Sequence, residues 1–232
     1  MEYEKVAMKK FAFFIAASLL LVASCGTTTS LTRADQYPEM YEAKPVTLLV
    51  MAPINNTTNV EAKEYLYSSI TRPLCEAGYY VISPMLALDI LKAESAYDAE
   101  LFTDKPLDKF QKYFGVDAVV FSEINSWEKT LSGISTNIRY FIRNAYTGEI
   151  IFDRTCDLYL DLTVNTGGNS LLSSLIDLTA TAINTAATDH VAAARKANSY
   201  IFKDIPRGKY SADYQMDQGM PADDKNISIT IK

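Results

Sequence analysis

The chain carries one histidine, three cysteines, one tryptophan and nine glycines among 232 residues. A single histidine with three cysteines leaves too few soft ligands for an ordinary Cys/His zinc centre, and the sequence implies neither a metal nor a cofactor. Basic residues are short as well: 22 Lys and Arg against 28 Asp and Glu leave a net charge of −6. A nucleic-acid-binding domain needs clustered Lys and Arg to neutralise phosphates, so nucleic acid is excluded as a partner. Catalytic sets are missing too. His190 follows Asp189 with no second histidine and no nucleophile pattern nearby, which reads as a surface or packing residue. Ser122-Glu123 lacks the flanking glycines of a nucleophile elbow. No acid–base pair can be located, and a non-enzymatic protein is expected. Long apolar runs are absent from the start of the chain: Phe11 to Ala23, broken by Ser18, falls far below the ~20 residues that cross a bilayer as a helix.

What is present is enough apolar material for a core, 48% hydrophobic and 11% aromatic, in a length that suits one domain with appendages. The first 24 residues have the layout of a secretory signal: Met8-Lys9-Lys10, the short apolar run, then small residues. Met1 to Ala7 looks like an overlong start, since Met8 opens the cleaner signal. Val22-Ala23-Ser24-Cys25 resembles a bacterial lipobox, which implies cleavage before Cys25, diacylglycerol on its thiol and a further acyl chain such as palmitate on its amine. More than one acyl chain makes anchoring effectively stable, at ~0.8 kcal/mol per buried CH₂. Residues 1–24 hold three lysines and two glutamates, so the mature chain is still more acidic than the whole and ill suited to lie on an anionic surface by charge. Gly26 follows Cys25, with no Asp at the second mature position. By resemblance to enterobacterial sorting this places the anchor in the outer membrane, and the absence of an acidic cluster after Cys25 favours the periplasmic side.

Residues 25–44, rich in Thr and Ser and then polar with Pro38, read as a flexible tether. Residues 45–202 carry the periodic patterns of a single α/β domain. Val46 to Ala52 is a short apolar strand buried on both faces, and Asn55-Asn56-Thr57-Thr58-Asn59 is a polar loop with Asn59 or Thr58 as helix cap. Ala62, Leu66, Ile70 and Leu74 mark a helix over 60–77, kinked or ended at Pro73. Tyr79 to Ser83 is a strand, Pro84 opens a short helix, and Pro106 to Phe114 is another. Asp117 to Trp127 starts apolar and then alternates, as a strand leaving the core for an edge. Ser135–Ala145 and Glu149–Val164 alternate around Tyr146-Thr147-Gly148, a hairpin with a type I turn and bulge. Its register puts Arg139 near Thr155 and Arg143 near Ile151, within diagonal reach of Asp153 and Asp157. After Gly167-Gly168 a long helix runs to about Ser199. Residues 203–232 lack a period and read as an irregular, loosely attached tail, with Tyr210 and Tyr214 able to dock. The order β-α-β-α-α-β-β-β-α gives a mixed-sheet α/β sandwich.

Several clusters could be sites. Asn55, Asn56, Thr57, Thr58 and Asn59 sit at a strand's carboxyl end facing a helix start, a place where α/β sheets bind ligands; capping and turn formation account for the same residues. Asp153, Asp157 and Asp161 share a strand face, but alternate spacing puts i and i+4 about 13 Å apart, too far for one calcium ion; a solvated face paired with Arg139 and Arg143 is the alternative. Cys75 and Cys156 could approach through the core as a disulfide in an oxidising compartment, or serve as small apolar side chains. Tyr65, Tyr67, Tyr79, Tyr80, Tyr140 and Tyr159 could stock an interface or pack half-buried.

Lys44-Pro45, Met51-Ala52-Pro53-Ile54-Asn55, Pro73-Leu74 and Glu76-Ala77-Gly78-Tyr79-Tyr80-Val81 together resemble a bacterial lipoprotein family of unknown function typified by a meningococcal vaccine-candidate lipoprotein. Phe114-Gly115-Val116-Asp117-Ala118 and Thr147-Gly148-Glu149-Ile150-Ile151-Phe152 extend the match over roughly residues 40–200; Met216 to Lys232 departs from it. The resemblance implies a fold similar to the amino-terminal domain of TolB and to the periplasmic domain of the curli-type channel lipoprotein. It also implies an accessory role beside such a channel at the outer membrane of a Gram-negative cell. Only Cys25 carries over as a functional residue. The expectation is therefore a lipid-anchored interaction subunit with a protein partner, homo-oligomeric through its long helix. A periplasmic ligand-binding module using residues 54–60 is the alternative.

Overall fold

The computed structural model of the chain describes residues 31–163 and 186–231. The signal segment, Cys25 and Gly26, Gly167-Gly168 and the start of the expected long helix lie outside the described residues. Where the tether is expected, two short helices form instead, α1 (Arg33–Gln36) and α2 (Pro38–Ala43). The Thr32 hydroxyl accepts from the Asp35 N–H while the Asp35 carboxylate accepts from the Thr32 N–H, a capping box. Pro38, which has no N–H to lose, opens α2. Tyr37 and Met40 are buried in the main core, so the ordered body begins well before residue 45.

β1 (Thr47–Val50) is buried on both sides, with Leu48 and Val50 facing one core and Leu49 and Met51 the other. After Pro53 the chain pairs again as β2 (Ile54–Asn55), a strand inside the stretch expected to be loop. The single helix expected over 60–77 is two, α3 (Ala62–Tyr67) and α4 (Thr71–Glu76). Pro73 has no N–H to offer the carbonyl four residues back, and the ladder breaks at Ser68–Ile70. The Ser68 and Ser69 hydroxyls donate to the Tyr65 and Leu66 carbonyls there. β3 (Tyr80–Val81), α5 (Pro84–Ala93), a 3-10 turn (Ala99–Phe102) and α6 (Asp108–Phe114) follow. Gly115 ends α6 in the left-handed region that its residue type permits.

Three twelve-residue strands then carry most of the sheet: β4 (Ala118–Lys129), β5 (Gly133–Asn144) and β6 (Ile150–Asp161). β4 is not an edge strand. Its first half lies between β1 and β5, and Glu123-Ile124 pairs with β2; beyond that only β5 lies beside it. The β5–β6 hairpin has Arg139 opposite Thr155 as its alternation predicts, but Arg143 meets Ile150 because the ladder shifts by one residue after Ile142. α7 (Ala186–Ile201) packs on β5 and β6, and β7 (Asn226–Ile231) closes the order β3-β1-β4-β5-β6-β7, parallel to β6. Parallel and antiparallel pairs thus coexist in one sheet with helices on both faces, an α/β sandwich.

Residues 203–225 are irregular in backbone, as expected, but they are not loose, and residues 226–231 form a strand. Ile227, Ile229 and Ile231 pack on the main core. The Gly208 and Tyr210 N–H groups donate to the Ala77 and Gly78 carbonyls at 2.9 Å, and the Tyr79 hydroxyl donates to the Pro206 carbonyl at 2.6 Å. Gly78, at φ +93°, faces Gly208 and Ser211 so closely that a Cβ on it would strike the Ser211 backbone. Two buried ion pairs complete the attachment. Arg154, fully buried, bonds Asp204 and the carbonyls of Ile201 and Asp224, and Asp204 also accepts from the Tyr37 hydroxyl at 3.1 Å. Arg33 pairs with Asp217 at 2.8 Å, and Asp217 accepts from the Arg207 N–H as well.

The sheet's two faces are covered unequally. α2, α3, α4 and α7 cover the first face along β1, β4, β5 and β6. On the second face α5, the 3-10 turn and α6 cover β1, β2, the start of β4 and the end of β5, and no core residue of that side comes from β6 or β7. Half of the second face is therefore polar and without a covering helix among the described residues.

Candidate functional site

The asparagine loop lies at one end of this open half. The Asn55 Oδ1 accepts from the Thr57 N–H (3.1 Å) and hydroxyl (2.8 Å), and its Nδ2 donates to the Asn59 carbonyl at 2.8 Å. The Thr57 hydroxyl accepts from the Asn59 N–H at 3.2 Å, and Asn59 Oδ1 accepts from the Ala62 N–H at 3.1 Å. Asn59 thus closes the turn that leads into α3, whose N-cap position is held by Glu61, and Asn55, Thr57 and Asn59 hold the turn together rather than facing a ligand. Asn56 alone points along the sheet, its Nδ2 3.5 Å from the Asn125 Oδ1.

From Asn56 a polar ladder crosses three strands. Asn125 Nδ2 donates to Asn137 Oδ1 at 2.9 Å, and Asn137 Nδ2 donates to Asp157 at 2.6 Å. Beside it Arg139 is held by both oxygens of Asp153 (2.9 and 2.8 Å) and by Glu123 at 3.3 Å. Its guanidinium lies 4.7 Å over the Phe141 ring, which stacks in turn on Phe121. Hydrogen bonds to Asp153 push the Arg139 pKa upward, so the charge is fixed. The aspartates of β6 do not converge: Asp153 belongs to Arg139, Asp157 to Asn137 and Asp161 to Thr163. Among the described residues no three His, Cys, Asp or Glu side chains are placed to hold a metal.

Arg143 stands on the same face but in its covered half, opposite Val119. There it donates to the carbonyls of Gly148, Phe102 and Lys105 at 2.8–2.9 Å and ties the 3-10 turn and the loop before α6 to the sheet. Ser122 is buried on the opposite side of β4 from Arg139. His190 is nearly buried between Tyr65 and Trp127, and its Nδ1 accepts from the Trp127 indole N–H at 2.8 Å. An indole only donates, so this ring is neutral with its proton on Nε2; burial, helped by Lys129, holds its pKa below the ordinary value. Cys75 and Cys156 are free thiols, not a bridge: Cys75 is exposed on α4, while Cys156 is buried on β6 with its pKa pushed up to about 12 by burial. The tyrosines divide likewise, Tyr140 and Tyr79 buried, Tyr80 exposed.

Sequence reasoning located Arg139 and the β6 aspartates from hairpin alternation. It missed Asn125 and Asn137, whose signal was only that each stands at a sheet-facing position of a long strand.

Residues 35–203 match the model of the family described as "Putative lipoprotein GNA1162-like". A curated relative, the NMB1124/NMB1162 lipoprotein of Neisseria meningitidis serogroup B, is 29% identical over 92 residues, 39% of this chain; the chain spans 42% of that relative's length. The crystal structure of lipoprotein GNA1162 from Neisseria meningitidis superposes with a TM-score of 0.48 at 21% identity, over 56% of this chain and 90% of that one. The PelC dodecamer from Paraburkholderia phytofirmans gives 0.42 at 12% identity, over 78% and 92%. At such scores the structural likenesses transfer no property. The family match spans most of the chain, and on that ground the chain belongs to the GNA1162-like lipoprotein family, lipid-anchored proteins of the bacterial envelope.

Proposed function

We propose that the chain is a non-enzymatic accessory subunit, anchored through lipid on Cys25 to the periplasmic side of the outer membrane. It docks a protein of an envelope or secretion assembly, of the channel-lipoprotein kind, through the open half of its second sheet face. The observation that carries this reading is the polar ladder. Asn125, Asn137, Arg139, Asp153 and Asp157 stand on strands of a continuous sheet and already hold one another in fixed orientations. Groups preordered in this way lose little side-chain entropy on binding, and their mixed charge gives specificity more than bulk affinity. The asparagine loop supports the alternative ligand-binding reading poorly, since Asn55, Thr57 and Asn59 are engaged with one another.

The test is site-specific photo-crosslinking in the native envelope. A photoreactive residue at Asp157 should give one discrete adduct with an envelope protein, and the same residue at Lys112 on α6 should not. Identical adducts from both positions, or none from Asp157, would sink the docking face. Separately, Cys25→Ser should abolish incorporation of labelled fatty acid; if labelling persists, the anchor is elsewhere.

A further inference from the structure

A groove of about 650 Å³ runs between α4, with the turn before it, and α7. Its size falls in the range of small-ligand pockets. One wall carries Arg72 and Glu76 on α4, the other Arg195 and Lys196 on α7 with Lys203 just past its end, and serine hydroxyls lie between them. Four cations and one carboxylate therefore line a concavity in a chain whose net charge is −6. The carboxylate is already matched, Glu76 accepting from Arg72 at 2.8 Å, and Lys203 lies 3.9 Å from Asp223 at the groove's end. Arg195 and Lys196 have no carboxylate within ion-pair distance among the described residues.

The walls are also fixed. Buried Asn198 on α7 donates to the Leu66 carbonyl at 3.0 Å and the Ser69 hydroxyl at 2.9 Å, and accepts from the Tyr140 hydroxyl at 2.8 Å. The two walls that carry the like charges are thus held side by side while the cationic side chains themselves stay solvated, Arg72 at 83% exposure, and an anion between them offsets their mutual repulsion. An arginine fork beside lysine point charges suits phosphate oxygens.

We infer that this groove is a binding site for a phosphate-bearing anion, with the headgroup of an anionic lipid as the favoured source. The preference for lipid rests on the anchoring proposed above. Cys25 precedes Leu31 by six residues in the sequence, a span of at most about 20 Å. Leu31 itself lies near the groove's end: its carbonyl accepts from the Ala222 N–H at 2.9 Å, and the next residue, Asp223, lies 3.9 Å from Lys203.

The experiment titrates the purified full chain, held in a non-ionic detergent so that anchoring plays no part. The probes are dihexanoyl-phosphatidylglycerol, dihexanoyl-phosphatidylcholine and inorganic phosphate, followed by calorimetry. Phosphatidylglycerol should bind saturably with Kd below about 1 mM. Arg195→Glu with Lys196→Glu should weaken it at least about tenfold, while Lys109→Glu with Lys112→Glu on α6, an equal change of charge, should alter it less than about twofold. Inorganic phosphate binding as tightly as the lipid upholds the anion site and assigns it to free phosphate. The site is refuted by no saturable binding of either anion, by equal losses in both double variants, or by phosphatidylcholine binding as tightly. It is refuted also by a salt-sensitive dimer that the Arg195/Lys196 reversal abolishes, since a second copy would then fill the groove. Loss of lipid labelling at Cys25 is measured separately, so failure of the anchor and failure of the groove are told apart.

Discussion

Arg154 and Arg139 stand on neighbouring strands, each bonded to an aspartate, on opposite faces of one sheet. Arg154 is fully buried, and its partners Asp204 and Asp224 belong to the segment that leads to β7. The Arg139 side chain is about a third exposed, with partners on the two strands that flank its own. The same chemistry has two uses. A buried pair is costly to break, because the surviving charge has no solvent. A surface pair contributes little to stability in water, so a well-formed one on an uncovered face points to recognition.

The sharpest break in this comparison is Arg154→Ala. It should cost about 3–5 kcal/mol in urea unfolding and speed hydrogen exchange in β7 ahead of the rest of the sheet; retained stability would mean that Asp204 does not depend on it. Gly78→Ala should follow, at about 2 kcal/mol, because a Cβ at φ +93° meets the Ser211 backbone. Its exchange pattern should again single out residues 206–211. Arg139→Ala should cost no more than about 1 kcal/mol yet remove the crosslink from Asp157. If stability falls as far as in Arg154→Ala, the two faces are not different in kind.

The smallest effect is a pH slope confined to the covered face. Because burial lowers the His190 pKa in the folded chain, the unfolded chain binds more protons, and stability rises with pH. Lowering pH from above the ordinary histidine pKa of about 6.5 should therefore destabilise the fold, as protonated Nδ1 can no longer accept from Trp127. His190→Gln should flatten that slope, and the Trp127 indole resonance should report it while the ladder amides stay still.

Legibility in the sequence followed the range of the interactions. The hairpin register at Arg139 was readable because alternation and the Gly148 turn are local. The misplacement of Arg143 came from a one-residue bulge that no composition signal marks. Gly115 as helix end was readable for the same local reason. The helices at 33–43 were not, because what buries Tyr37 and Arg33 lies at Asp204 and Asp217. The alternation Ile227, Ile229, Ile231 was present but short, and it followed a stretch of Pro, Gly and charge that resembles a tail. Arg72 and Arg195 are far apart in the chain, so nothing in their spacing could announce a shared groove.

The Arg33–Asp217 pair joins residues 184 positions apart. A polypeptide is synthesised amino end first, so Arg33 must wait for its partner for roughly ten seconds or more at ribosomal speeds. A copy cut short before residue 217 would leave the Arg33 guanidinium without its carboxylate, so the fastening of α1 reports that the chain has been made nearly to its end.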